Sequence, residues 1–231
     1  MSLWSGGRFD DGPADALWRF TVDTTDRRLL AVDVEGSLAH VRMLGAVGLL
    51  TVDEVEIILG GLEQIATDAA DGTFEWMPTD EDVHTAVERR LGELVGPLAG
   101  KLHTGRSRND QIALDLRLYL KEAAAERIDQ LAAFVKVLVD QAKEAGDAVV
   151  PSYTHVQQAQ AVPFAHHLLA YAWMVVRDID RFEDVARRLD VSPLGAGASG
   201  GSSLPLDPAK SAAELGMAAP FDNSMDAVGS R

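Results

Sequence analysis

The sequence predicts an all-α fold: an N-terminal helical domain with an extended arm (residues 1–105), then long antiparallel helices of an incomplete oligomeric bundle (106–231). Two long helical patterns lead there. Asp110 to Ala145 contains neither proline nor glycine, and Ile112, Leu116, Leu120, Ala124, Ile128, Leu131, Val135, Leu138 and Ala142 recur along it at threes and fours. At ~1.5 Å per residue this helix runs roughly 54 Å, well past the usual three or four turns. A second pattern, from Pro163 to Leu189, turns Leu168, Ala172, Val175, Ile179, Phe182 and Val185 to one side. Two such helices joined by a short turn form an antiparallel hairpin. Their apolar stripes need further long helices to cover them, which points to self-association.

Ahead of these, residues 1–28 mix Gly, Asp and Arg with isolated Trp and Phe and read as an irregular arm. From Leu29 to Val47, Leu30, Val34, Leu38 and Val41 keep helical spacing, while Asp33, Ser37 and His40 form a polar stripe whose plain reading is a solvated face. Thr51 followed by Glu54 is a capping box for a second helix, with Val55, Leu59 and Leu62 inward and Gly72 ending it. A third helix follows Pro78, where Thr79 and Asp82 sit at cap spacing. The plain reading of Asp82 is a carboxylate at the positive end of the helix dipole. After Leu189, SPLGAGASGGSSLPLDPAK is a loop by composition, SAAELGM a short helix, and NSMDAVGSR an end without a capping or terminating signal. No strand-like alternation or internal repeat is read anywhere.

Hydrophobic residues at 47% and charged residues at 25% are ordinary globular usage, so a core is expected. A net charge of −15 repels a phosphate backbone, which removes nucleic acid as an expected partner and means that any anion site is built locally. The absence of cysteine excludes disulfides and thiolate metal sites and fits a reducing cytosol. The first residues lack the form of a signal peptide, and no run approaches about eighteen consecutive apolar residues. A soluble, cytoplasmic protein with no membrane contact is the expectation.

Two stretches carry chemistry. HTGRSRNDQ, residues 103–111, places Arg106 and Arg108 at the mouth of the longest helix, where Ser107 or Asn109 can cap it and unpaired N–H groups face the same volume. In an acidic chain this is a candidate carboxylate pocket; the alternative is an ordinary cap with two solvated arginines. SYTHVQQAQAVPFAHHLL, residues 152–169, holds three of the six histidines and three glutamines. Proline suits a first helical turn, so the helix starts near Pro163 and leaves Thr154 and His155 in the approach. Gln157, Gln158 and Gln160 read as neutral support for a buried loop that holds His155, a candidate for moving a proton near neutral pH. His166 and His167 read as structural.

DVEGSLAH, EDVHTAVERRLGELVG, KLHTGRSRNDQIALDLRLYL, SYTHVQQAQAVPFAHHLLAY, SPLGAGASG and NSMDAVGSR resemble, in order and spacing, the argininosuccinate lyase family of the fumarase and aspartase superfamily. The resemblance covers nearly the whole chain and corresponds to the N-terminal half of the enzyme. It implies cleavage of argininosuccinate to arginine and fumarate, with no metal or organic cofactor, in a homotetramer whose sites draw on three subunits. It makes His155 the catalytic histidine and Ser37, Arg108, Asn109 and Thr154 substrate-binding residues. Asp33, Asp82, His84, Arg106, Gln111 and Arg231 become substrate-proximal. GSSLPLDPAK imitates the family's flexible serine loop but has leucine for methionine and misplaced lysine and asparagine, so that loop is expected beyond Arg231 and the 231 residues alone are expected to be inactive. A sister lyase, a non-catalytic crystallin-like relative and a helical scaffold are the alternatives.

Overall fold

A computed structural model describes residues 14–231. The arm read over residues 1–28 lies outside the described residues as far as residue 13, and from Asp15 it is not irregular. Helix α1 (Asp15–Thr21) precedes a 3-10 turn, Thr24–Leu29, whose N-cap Asp23 accepts from the Thr25 N–H. α1 buries none of its residues, which is why no apolar period announced it. Next come α2 (Leu30–Ala46), α3 (Val52–Ala70) and α4 (Val83–Val95). Both halves of the Thr51–Glu54 capping box are made, and Asp82 caps α4 by accepting from the Thr85 N–H at 2.8 Å. A 3-10 segment, Gly96–His103, leads to the turn before α5 (Arg108–Glu144), a single helix of 37 residues.

By compactness the chain divides inside α5. One unit comprises the described residues up to Tyr119 together with Val191–Arg231, and the other is Leu120–Asp190. In the first unit Met43, Leu44, Ile58, Leu62, Leu91, Leu102 and Leu114 are fully buried, so α2, α3, α4, the 3-10 segment and the start of α5 share one core. Two glycines in this core allow close approaches between helices. A Cβ on Gly36 would lie 2.8 Å from Leu114 Cδ2, and one on Gly61 would lie 2.6 Å from Leu91 Cδ1 and 2.9 Å from Val95 Cγ1.

The segment after Val191 returns to this core through Leu194, Ala212, Leu215 and Met217. It forms β3 (Val191–Ser192), parallel to β4 (Ala219–Pro220), with α7 (Pro208–Glu214) and α8 (Ser224–Gly229). The expected absence of a cap near the end is corrected here, since Asn223 accepts from the N–H groups of Met225 and Asp226.

In the second unit, α5 and α6 (Phe164–Leu189) are joined by a β-hairpin and not by a short turn: β1 (Val149–Thr154) pairs antiparallel with β2 (Gln157–Pro163). Almost all of the hairpin is exposed, so neither face carries the alternation by which a half-buried strand is recognised. The Lys121–Asp190 ion pair ties the end opposite the hairpin, so the two helices are antiparallel. Ala124, Ala142 and Ala172 are buried, whereas Phe134, Val137, Tyr171, Trp173, Met174 and Val185 are exposed. No helix among the described residues is long and apolar enough to cross a membrane.

Gly61→Ala tests the closeness of α3 to α4. The added methyl gains up to ~1 kcal/mol of helix propensity but forces fully buried Leu91 aside, at a cost of about 1–3 kcal/mol. A net loss of stability in urea unfolding is expected, against a gain for the same substitution at Gly60, which has open space around it.

Candidate active site

Helix α2 brings Asp33, Ser37 and His40 to one face, and that face is buried, not solvated as the sequence suggested. The polar stripe persists inside because each member has a partner. Asp33 Oδ1 accepts from His84 Nδ1 at 2.8 Å and from Gln111 Nε2 at 2.6 Å. The Ser37 hydroxyl accepts from Arg106 Nη1 at 3.0 Å, and His40 Nε2 donates to the Thr104 carbonyl at 2.9 Å. Burial would raise the Asp33 carboxyl, but the His84 hydrogen bond, the charges of His84 and Arg106 and the Gln111 amide outweigh it and hold Asp33 below the ordinary range. Burial, joined by the Arg106 charge, brings His40 down to about 3, so it is neutral.

At the mouth of α5, Ser107 is the capping residue: its hydroxyl accepts from the Asn109 N–H, and its own N–H donates to Asp110 Oδ1 at 2.9 Å. Asp110 Oδ2 accepts from the N–H groups of Gly195 and Gly197 at 3.2 and 2.8 Å, which seats the glycine-rich loop on the helix start. Gly197 has φ +59°, and a Cβ there would lie 2.8 Å from the Gly201 carbonyl, so only glycine lets the loop turn this tightly. Asn109 is exposed and bridges this loop to the chain end, donating to the Ala198 carbonyl at 3.1 Å while its Oδ1 accepts from Arg231 Nη2 at 3.1 Å.

The two arginines expected as carboxylate forks are both engaged internally. Arg106 is buried against Ser37. Arg108 donates to Asp82 Oδ2 at 2.5 Å and to the Thr85 hydroxyl at 3.0 Å. Asp82 also lines a cleft of about 280 Å³ with Trp18, Arg27 and Trp76. The groups left accessible at the mouth are the Asn109 amide and Arg231.

Of the expected site residues, the structure gathers Asp33, Ser37, His84, Arg106, Gln111, Asp82, Arg108, Asn109 and Arg231 within the first unit. Thr154 and His155 lie in the second. His155 and Val156 form the two-residue hairpin turn, with φ of +51° and +60°, and both are exposed. Gln157, Gln158 and Gln160 are exposed on β2, so they do not support a buried loop as the sequence suggested. His166 and His167 are exposed helix residues, His167 stacking on Phe164.

The sequence matches the lyase family over residues 7–231. The chain belongs to that family. It is 52% identical over 231 residues to the argininosuccinate lyase of Acidothermus cellulolyticus, covering 99% of this chain and 47% of the relative. To that of Roseiflexus castenholzii it is 49% identical over 230 residues, 99% of this chain and 50% of the relative. The chain thus spans about half the length of the curated relatives it matches. Among solved structures, EDDS lyase in complex with formate superposes with a TM-score of 0.78 at 29% identity, covering 93% of this chain and 42% of that one. A fumarate lyase:delta crystallin from Brucella melitensis bound to cobalt, at 16% identity and TM-score 0.72 over 98% of this chain and 53% of that one, shares the fold.

Sequence reading missed Asp110 and Asp115. Ser107 followed three residues later by Asp110 is itself a cap signature. Asp115, one turn after Gln111, interrupts an otherwise apolar run from Ile112 to Leu116.

His40 gives a pH test. Its folded value, about 3, lies below the unfolded 6.5. The unfolded chain therefore takes up the proton first, and stability present above pH 6.5 is lost on acidification, by up to ~1.4 kcal/mol per pH unit. His40→Gln keeps a donor for Thr104 and should lose less stability than the parent between about pH 6.5 and 4, read from urea midpoints.

Proposed function

We propose that this chain supplies about half of an argininosuccinate lyase, which expels arginine from argininosuccinate and leaves fumarate, the last step of arginine synthesis. The observation that carries the reading is identity of 45–52% across essentially the whole chain to curated argininosuccinate lyases. The family's division into an N-terminal domain (1–105) and a central bundle (from 106) belongs to the same proposal.

The chemical difficulty is a carbanion beside an ionised carboxylate. Removing the α-proton adds negative charge where charge already stands, so the site must aim donors at it. In a chain of net charge −15 these donors are concentrated locally. In our reading Asn109 and Arg231 hold one carboxylate at the mouth of α5, where the helix dipole favours anions, and Thr154 holds another. Ser37 has no exposed surface and serves by fixing Arg106; Arg108 serves by fixing Asp82. His155, alone or through a neighbouring group, moves the proton.

Exposed Phe134, Val137, Trp173 and Met174 supply the apolar faces of a cytoplasmic homotetramer, in which His155 of one copy completes the site of another. An EDDS lyase variant with bound fumarate makes a sister dicarboxylate lyase the second reading.

Fumarate release from argininosuccinate, adenylosuccinate, aspartate and EDDS, followed by absorbance with the natural full-length gene product, tests the reading; release from argininosuccinate alone is expected. His155→Asn should lower kcat by about 10²–10⁴-fold with the helical circular dichroism unchanged. Trp173→Glu should shift the sedimentation velocity profile toward smaller species.

A further inference from the structure

Where α2, α4 and α5 meet, Asp33, His84, Arg106, Gln111 and Asp115 are buried side by side. One carboxylate oxygen from each aspartate and a His84 ring nitrogen lie within 4.8 Å of one another. The donors do not match two ionised carboxylates. His84 and Gln111 both serve Asp33 Oδ1, whereas Asp33 Oδ2 and both Asp115 oxygens have no hydrogen-bond partner among the described residues. His84 Nδ1 is 3.7 Å from Asp115 Oδ2, outside hydrogen-bond range. Buried carboxylates without donors are costly, and like charges this close cannot both persist away from water.

We propose that Asp115 is held as the neutral acid and donates its proton to Asp33, which makes it a positioning residue: it lets Asp33 alone carry the negative charge that fixes His84 and Gln111.

A metal ion is the other way to reconcile the oxygens, and two features oppose it. The Arg106 guanidinium already supplies a cation, its Nε and Nη2 being buried without partners. His84 Nδ1 carries a hydrogen toward Asp33 and so has no lone pair for a ligand bond. The charges facing Asp115 are Asp33 from α2, His84 from α4 and Arg106 from the turn before α5. Burial and the Asp33 charge push the Asp115 carboxyl well above the ordinary range, with Arg106 opposing them. The consequence for the site is that Arg106, facing one carboxylate instead of two, keeps its charge for Ser37 and the mouth of α5.

The charge state can be tested on this chain without reference to any reaction. Asp115→Asn has the acid's shape and a donor for Asp33. A carboxyl raised in the folded state contributes stability below its unfolded value of 3.8 that is lost as pH rises toward the folded value. In thermal melts the parent should therefore lose ground to D115N as the pH is raised from about 4, with D115N at least as stable at pH 8. Asp115→Ala should be less stable than D115N throughout, since it removes the donor. A pH-independent difference between parent and D115N, a D115N deficit that grows with pH, or equal losses in D115N and D115A would each overturn the proposal. Should the variants fail to fold, the infrared spectrum of the parent at pH 8 decides. A carboxylic-acid C=O band that shifts in heavy water is expected, and its absence overturns the proposal.

Discussion

The hydrogen bonds to the Asp33 carboxylate are the constraint on which the first unit depends. A carboxylate with no exposed surface is costly unless its environment is built for it. Here the environment consists of His84 from α4 and Gln111 from α5, so one side chain on α2 ties three helices at a single depth. Apolar packing around Leu44, Leu62 and Leu91 supplies most of the burial, but such packing tolerates sliding by a rotamer or a register. The directional bonds to Asp33 do not. They fix the rotation of α5 about its axis, and with it where Ser107, Asn109 and Asp110 project at its start.

That rotation decides how an acidic chain builds a place for an anion. The arginines of HTGRSRNDQ looked like the anion binders, yet each is engaged inside the protein, Arg106 by Ser37 and Arg108 by Asp82 and Thr85. In the proposed site their fixed charges act without touching the occupant. Under the proposed function direct contact falls to Asn109 and Arg231, beside a loop whose N–H groups at Gly195 and Gly197 are already held by Asp110. A preorganised arrangement of this kind has little left to reorganise when charge develops, which is where electrostatic stabilisation gains its effect.

The longer helices and the caps of α3 and α4 were legible because apolar periodicity and the Thr51–Glu54 and Asp82 signals act locally. Burial of the Asp33–Ser37–His40 stripe was not, because a polar stripe at helical spacing looks the same whether its partners are water or side chains fifty residues away. Asp115 shows the same limit more sharply: its neighbours Leu114 and Leu116 report a buried face, but only Asp33, from another helix, explains a carboxyl there. The β-hairpin escaped for a different reason. His155 and Val156 carry none of the Asn-Gly chemistry of a two-residue turn, and the exposed strands show no alternation.

That missing turn chemistry is itself informative. Two consecutive left-handed residues, one of them β-branched, cost on the order of 1–3 kcal/mol each, and such strain persists where surroundings over-determine it. Val156 is 91% exposed, so the unit's own packing does not impose its φ of +60°. The register that pairs Thr154 with Gln157 leaves only two residues to reverse the chain, and it presents His155 at the tip of the hairpin. Under the proposed assembly the strain has a source of compensation outside the single chain. A histidine carried into a neighbouring copy's site on a tight, hydrogen-bonded ribbon is placed more exactly than one on a relaxed loop. The glutamines and alanines that looked destined for burial are then exposed in one chain because their partners belong to the next.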